Sequence, residues 1–229
     1  MTESSLLLGI DTCGPSGSVA LGRLSGGAVE ILGETELAGR SYSATLVAAI
    51  GDLLSQAGIR LDLLHALVAV NGPGSFTGVR VGLSALKGLA EGAGIPVVAV
   101  SRLEVLGWKA NGPSSALDAQ REEVFLRIAA KESPIKELLA GPEELAVIDP
   151  APARIAVCEN GAAALLGRIW PRTEIVTVEA PTASDALRLC ATKVTSAEFV
   201  DVALLDGHYL RRSDAEIFGA ATAAGTPHS

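Results

Sequence analysis

The chain has 229 residues and a formal net charge of −8; 48% of its residues are hydrophobic and only 3% are aromatic. A protein that binds nucleic acid by itself needs a basic face to displace counterions, so this acidic balance disfavours that class. No apolar run approaches the roughly 20 residues of a membrane span, and the first residues lack the basic region of a secretory signal. The composition predicts a cytoplasmic protein with an aliphatic core, large enough for one medium or two small domains.

The first hundred residues predict a β-α-β-α-β order. Apolar runs bounded by turn residues predict strands at residues 6–11, 18–24, 29–36, 64–70 and 95–100. After the third run, apolar residues recur at three- and four-residue spacing, which predicts an amphipathic helix. That helix is expected to begin near Ser41 or Ser43 and to stop at Gly58.

A glycine-rich loop at residues 71–82 separates the fourth predicted strand from a second helix, which continues to about Glu91. Such a loop brings backbone N–H groups and a positive helix N-terminus together, as an anion requires. The loop matches neither the Walker pattern nor the dinucleotide-binding pattern. A tight structural turn, contact with a phosphate and docking of a partner therefore all stay open.

The second helix is predicted to carry one apolar stripe and many small residues. The small residues are Gly78, Gly82, Ser84, Ala85 and Gly88. Glycine costs roughly 1 kcal/mol relative to alanine at an interior helical position. Several such positions indicate that something packs very close to this helix.

The second half of the chain gives weaker patterns. Residues 101–115 predict a linker or long turn, and residues 116–120 and 124–130 predict a hairpin around a charged turn. Further elements are a strand at 155–158, a helix at 161–166, a strand at 175–178 and a helix at 184–194. The tail after Gly219 is rich in Ala, Thr, Gly and Pro and is predicted to be disordered.

Residues suited to catalysis or metal binding are sparse. The three cysteines lack C-x-x-C spacing, which disfavours a disulfide framework and a zinc site. His65, His208 and His228 form no metal-binding pair, and no serine has an evident histidine base. Asp11 and Thr12 lie at the end of the first strand. Both residue types are common in turns, so a turn accounts for their presence as well as contact with a nucleotide does.

Three segments together resemble the TsaB (YeaZ) family, bacterial subunits for the biosynthesis of tRNA threonylcarbamoyladenosine. They are residues 9–21, residues 72–90 with 95–101, and residues 209–216. The string Gly-Pro-Gly-Ser-Phe-Thr-Gly-Val-Arg-Val-Gly at 72–82 is highly specific to that family. The turn after Leu117 also resembles its D-A-R-x-x-E-V-Y segment, with Phe125 in place of tyrosine.

The resemblance implies an actin/hexokinase/Hsp70-like (ASKHA) fold of two small α/β lobes with mixed sheets. The expected domains are an N-terminal lobe at 1–105, a C-terminal lobe at 106–218 and a disordered tail at 219–229. Many relatives carry His-Ser where this chain has Tyr42-Ser43. That difference weakens any polar role for the position, but it leaves a docking role open.

The resemblance also implies a non-catalytic scaffold that binds a TsaD-like transferase and, with it, a TsaE-like ATPase. The chain would reach tRNA only through this complex, would need no cofactor or metal of its own, and would form a homodimer when alone. ATP or ADP could bind at the complex interface. The alternatives are a glycoprotease-like peptidase, a nucleotide-hydrolysing enzyme of the same fold, and a nucleotide sensor without turnover.

Two sets of site residues follow from these expectations. The residues expected to dock a partner are Leu46, Ile50, Leu53, Val79, Gly82, Leu83, Ala85 and Leu86. The residues expected to contact a nucleotide or phosphate are Asp11, Thr12, Gly72, Gly74, Ser75 and Thr77. Replacing Gly82 or Ala85 with arginine is expected to abolish the complex and to leave the fold intact.

Overall fold

The computed structural model describes residues 4–39, 41–130 and 133–211, and these residues form two α/β lobes. The lobes are built on two five-stranded sheets, with strand orders β3-β2-β1-β4-β5 and β10-β9-β6-β7-β8. The elements around the first sheet are β1 (Ser5–Asp11), β2 (Ser16–Ser25), β3 (Ala28–Ala38), α1 (Tyr42–Gln56), β4 (Ala66–Val70), α2 (Phe76–Ala93) and β5 (Val97–Val100). The elements that follow are α3 (Arg102–Lys109), β6 (Ser115–Gln120), β7 (Glu123–Ala130), β8 (Ser133–Ala140), α4 (Pro142–Ala146), β9 (Arg154–Val157), α5 (Asn160–Ile169), β10 (Glu174–Thr177), α6 (Ala183–Leu189) and α7 (Ala191–Thr195).

Both faces of the first sheet are covered. β1 runs antiparallel to β2 and parallel to β4, and β4 runs parallel to β5. Gly9 on one face lies against Leu187 of α6, and Gly33 on the other face lies against Leu53 of α1. A central strand covered on both faces needs a continuous apolar run. This explains why β1 and β4 were readily predicted from the sequence.

Both predicted helices of the first half are confirmed. α1 ends where Gly58 adopts a φ of +65°, a conformation that glycine adopts without steric cost. α2 begins after Ser75, whose side chain accepts a hydrogen bond from the Gly78 N–H. In the second half, the 116–120/124–130 hairpin is confirmed as β6 and β7.

The linker predicted at residues 101–115 is wrong, because this stretch contains α3. The Ser101 side chain caps α3 by accepting from the Leu103 N–H at 3.2 Å, and Leu103, Val105 and Leu106 are fully buried. Two further elements, β8 and α4, were not predicted from the sequence. The predicted helix at 184–194 is two helices, α6 and α7, which meet at Cys190. The predicted disordered tail lies outside the described residues.

The lobes do not follow the chain in simple order. Ala183, Ala186 and Leu187 of α6 belong to the core of the first sheet, although the chain reaches them after both sheets are complete. The division into domains at 1–105 and 106–218 stays a prediction. In the part of the chain that the structure describes, no helix is long and apolar enough to cross a membrane.

Candidate functional site

The glycine-rich loop forms the turn from β4 into α2, and its backbone is anchored to neighbouring segments. The Ser75 N–H donates to the Cys13 carbonyl at 2.8 Å, and the Asn71 N–H donates to the Val100 carbonyl at 3.1 Å. The Gly72 carbonyl accepts from the Arg102 N–H at 2.6 Å. Part of the hydrogen-bonding capacity of the loop is therefore used within the chain.

Three glycines of this region touch the turn between β1 and β2. A Cβ atom added at Gly74 would overlap the Cys13 carbonyl, and one added at Gly78 would overlap the Thr12 carbonyl. One at Gly82 would overlap the Thr12 hydroxyl, which itself donates to the Gly78 carbonyl at 2.7 Å. The close approach predicted for α2 is thus made, at these positions, by the chain's own β1–β2 turn.

Beneath this turn lies a buried ion pair between Asp11 and Arg102. The Arg102 Nε lies 3.3 Å from Asp11 Oδ2, and the two side chains are 3% and 1% exposed. Asp11 Oδ1 accepts from the Cys13 N–H at 2.8 Å. Burial works against the charge on Arg102, but the surrounding negative groups, Asp11 foremost, together outweigh burial and raise the pKa of the guanidinium. The predicted site omitted Arg102, because α3 was not recognised.

Cys13 and Tyr42 lie beside this pair. Burial raises the pKa of the Cys13 thiol well above its usual range, and the charge of Asp11 adds to the effect. Burial, again with the charge of Asp11, raises the pKa of Tyr42 to about 12. The Tyr42 hydroxyl donates to the Gly14 carbonyl at 2.9 Å, so this side chain ties α1 to the β1–β2 turn.

A cavity of about 490 Å³ opens between the lobes above the ion pair. The residues that line it include Gly14, Gly74, Ser75, Arg102, Asp118, Gln120, Phe125, Glu159 and Arg211. Of the residues predicted to contact a nucleotide, Gly74 and Ser75 line the cavity. Asp11, Thr12 and Gly72 are buried beneath it, and Thr77 is exposed on α2 but does not line it.

A second concave surface, the α1–α2 groove, lies on the outer side of the first lobe. Its volume is about 310 Å³, and its lining residues are Tyr42, Ser43, Leu46, Val47, Arg80, Val81, Ser84 and Ala85. Val47 is 66% exposed. The groove is mainly apolar, and Arg80 alone among these described lining residues carries a charge.

Most of the residues predicted to dock a partner pack into the chain's own core. Leu46 lines the groove but is almost fully buried, and Ala85 is half-buried in it. The others are buried and hold the two helices on the sheet; they are Ile50, Leu53, Val79, Gly82, Leu83 and Leu86. Docking through these helices stays a prediction, and a partner would meet the outward neighbours of these residues. The expectation that Gly82→Arg leaves the fold intact is wrong, because Thr12 occupies that space.

The histidines that the structure describes have structural contacts. His65 Nδ1 accepts from the Leu6 N–H at 3.0 Å, and His208 Nε2 lies 2.7 Å from Glu137 Oε2. His228 lies outside the described residues. Ser101 also donates to Glu137, at 2.7 Å. Within residues 4–39, 41–130 and 133–211, no group of three or more His, Cys, Asp or Glu side chains is placed to hold a metal ion.

Comparison with known proteins gives relatives that match part of the chain. Residues 35–137 match the family model described as TsaD, tRNA N6-adenosine threonylcarbamoyltransferase. The chain is 37% identical over 125 residues to the tRNA threonylcarbamoyladenosine biosynthesis protein TsaB of Escherichia coli, a match that covers 52% of each protein. The chain spans about half the length of the curated TsaB proteins that it matches.

Solved structures extend the likeness to most of the chain. YeaZ from Pseudomonas aeruginosa superposes with a TM-score of 0.72 at 28% identity, covering 90% of this chain and 100% of that one. The (R)-2-hydroxyglutaryl-CoA dehydratase component A of Acidaminococcus fermentans has a TM-score of 0.50 at 12% identity, covering 83% of this chain and 99% of that one. The second likeness shows the fold alone. It confirms the predicted fold class of two α/β lobes with mixed sheets.

Proposed function

We propose that this chain, which belongs to the TsaB/YeaZ family, is a non-catalytic subunit in the biosynthesis of tRNA threonylcarbamoyladenosine. In this role it binds a TsaD-like transferase in the cytoplasm and supports that enzyme's activity. The observation that carries the proposal is the closed floor of the interlobe cavity. There, Arg102 engages the one carboxylate that the first strand supplies.

The contacts of Asp11 make it a poor metal or nucleotide ligand. Both of its oxygens are hydrogen-bonded within the chain, and the side chain is 1% exposed. Removing Arg102 from the pair would leave a buried charge without a partner, which costs several kcal/mol in typical proteins. Asp11 and Arg102 therefore act together as a structural pair at the base of the two lobes.

The α1–α2 groove is the surface that we assign to the transferase. It is apolar, open and next to residues whose core packing fixes both helices in place, so a partner would meet a preformed surface. The acidic balance of the chain supports tRNA contact through the partner, since phosphates are bound by basic surfaces. A TsaE-like ATPase would join the same complex, with ATP or ADP at its interface, and the free chain would pair with a second copy.

A reconstitution tests the proposal. The transferase from the same organism is assayed for threonylcarbamoyl transfer to tRNA, alone and with this chain. We expect the two proteins to co-elute in size-exclusion chromatography and the chain to raise the transfer rate, whereas the isolated chain should be inactive. Failure to co-elute together with an unchanged rate would contradict the proposal.

The interlobe cavity favours one second function, binding of a nucleotide without turnover. Gly74 and Ser75 at its wall lie next to the N-terminus of α2, where an anion is favoured. Calorimetry with ATP and with ADP, on the chain alone and on the complex, would detect such binding. Ser75→Ala is the suitable variant, because Ser75 is exposed and Asp11→Ala would break the buried pair.

ATP hydrolysis or peptide cleavage by the chain alone, lost in Ser75→Ala, would instead support an enzyme.

A further inference from the structure

Residues 206–211, which we call the strap, attach to the first lobe at two points. The His208 N–H donates to the Asn71 carbonyl at 2.7 Å. The Tyr209 ring lies 5.0 Å from the Phe76 ring between centroids. The Arg80 guanidinium sits 3.7 Å above the Phe76 ring and 5.9 Å from the Tyr209 ring. The Arg80 Nε also donates to the Tyr209 hydroxyl at 3.4 Å. A guanidinium that lies on one ring and donates to the hydroxyl of the next has lost part of its rotamer freedom.

The same strap attaches to the second lobe. His208 Nε2 lies 2.7 Å from Glu137 Oε2 on β8. Arg211 forms an ion pair with Glu123 on β7 and lies 6.0 Å from the centroid of the Phe125 ring. Three residues of the strap, His208, Tyr209 and Arg211, thus bridge the two lobes through side chains as well as backbone.

Residues that form these contacts line both concave surfaces. Arg80 lines the α1–α2 groove, and Arg211 with Phe125 lines the interlobe cavity. Tyr209 contacts Arg80 and lies two residues from Arg211 on the same strap. The position of Arg80 in the groove is therefore physically linked to the position of Arg211 in the cavity wall.

We propose that the strap couples the two surfaces by holding Arg80 ready for a partner's carboxylate in the α1–α2 groove. The coupling rests on the proposed docking of a TsaD-like transferase at this groove. Arg80 is the one charged group among the described residues that line it, so a partner that buries the groove must neutralise Arg80 with an acidic side chain. Stacking on Phe76 and the hydrogen bond to Tyr209 restrict the guanidinium beforehand, which removes part of the entropic cost of binding.

Coupling of this kind is reciprocal. A bound transferase should tighten the strap and hold Arg211 in the cavity wall. Conversely, loosening the strap at its far end should weaken docking at the groove, although that end touches no groove residue. Glu123→Gln is the variant that loosens this end, because it removes the charge that pairs with Arg211.

The test measures the affinity of the transferase for the wild-type chain and three variants by calorimetry. We expect Tyr209→Ala and Glu123→Gln each to weaken binding by about fivefold or more, a usual size for coupling between sites. Glu122→Gln is the matched control, because Glu122 is the neighbour of Glu123 but forms an exposed pair with Arg168 of α5 and not with the strap. This variant should bind like the wild type. Unchanged affinity in both strap variants would overturn the coupling, even though docking itself would stand.

A second readout needs no partner. Amide exchange followed by NMR reports the His208 N–H bond to Asn71 directly. If the strap moves as a unit, Glu123→Gln should speed exchange of this amide about tenfold, while Glu122→Gln leaves it unchanged; a tenfold change corresponds to about 1.4 kcal/mol. An unchanged rate in Glu123→Gln would overturn the proposal whether or not the transferase binds. A wild-type chain that fails to bind the transferase would contradict the proposed function instead.

Discussion

The N-terminal and C-terminal halves of α2 contain the same kind of residue in opposite surroundings. Near its N-terminus, Gly78 and Gly82 lie so close to Thr12 that neither has room for a Cβ atom. Near its C-terminus, a Cβ atom at Gly88 or Gly92 would meet nothing within 4 Å. Glycine in the first region is required by close packing within the chain. In the second region no contact within the chain requires glycine, so glycine there lowers helix stability.

A similar contrast separates the two concave surfaces. The floor of the interlobe cavity is closed by a buried ion pair and by backbone contacts, whereas the α1–α2 groove is apolar and open. The closed surface has the loop whose sequence suggests phosphate binding. Of the open surface, the docking residues predicted from the sequence include only Leu46 and Ala85. We therefore assign stability to the first surface and partner binding to the second.

The largest effect is expected at the buried pair. Arg102→Met should lower the free energy of unfolding by about 3–5 kcal/mol, because it leaves Asp11 buried without its partner. Urea denaturation followed by circular dichroism measures the change. Arg60→Met, which breaks an exposed pair with Asp62, is the control and should leave the unfolding midpoint unchanged. A loss in Arg102→Met of less than about 1 kcal/mol would show that the pair does not hold the closed floor.

The next effect separates the two ends of α2. Gly78→Ala should destabilise the chain by about 2–3 kcal/mol, since the new methyl group displaces the Thr12 backbone. Gly88→Ala should instead stabilise it by about 0.5–1 kcal/mol through helix propensity. Both are measured by urea denaturation. Equal effects of the two substitutions, in either direction, would remove the distinction between the ends of the helix.

A double-mutant cycle sharpens the same contrast. Gly82→Ala places a methyl group against the Thr12 hydroxyl, and Thr12→Ala removes that hydroxyl but leaves its Cβ 3.4 Å away from the new methyl. The double variant should therefore be more stable than the sum of the single losses predicts, by about 1 kcal/mol. Additive losses would mean that Thr12 is not what excludes a side chain at Gly82.

The smallest effect concerns pH and the strap. Burial works against the charge of Glu137, but hydrogen bonds from His208, Ser101 and Arg127 outweigh it and hold the pKa of this carboxyl below its usual value. Its stabilisation is present above the unfolded-state pKa of about 4.3 and is lost as the pH falls from there through the folded-state pKa. Unfolding measured from pH 7 to pH 3 should show a shallower loss of stability in Glu137→Gln than in the wild type. Identical pH profiles would contradict this account.

The sequence predicts elements well where apolar periodicity is long, as in β1, β4, α1 and α2. It fails at α3, an eight-residue helix whose apolar positions are followed by Asn111-Gly112-Pro113, a run typical of a loop. It also gives no sign that Gln120, Arg121 and Glu122 all adopt positive φ values, near +60°. None of these three is glycine, which is the usual residue for that conformation.

The docking prediction shows a different limit. Helical periodicity identifies the face with the most apolar side chains, and in a folded lobe that face packs on the sheet. It therefore selected residues such as Ile50 and Leu86, which are 3% and 0% exposed. The outward residues of the groove, such as Val47 and Ser84, lie between these positions and carry no periodic signal of their own. Surface grooves of this kind become visible only when the helices are packed together.

The most direct test of the account is the affinity of the TsaD-like transferase for two variants at exposed valines. Val47 lines the α1–α2 groove, and Val147, 80% exposed, follows α4 in the second lobe. We expect Val47→Arg to raise Kd by at least about tenfold, or about 1.4 kcal/mol, and Val147→Arg to leave Kd unchanged. Both should unfold at the wild-type urea concentration. Wild-type affinity in Val47→Arg would show that the transferase does not dock at this groove.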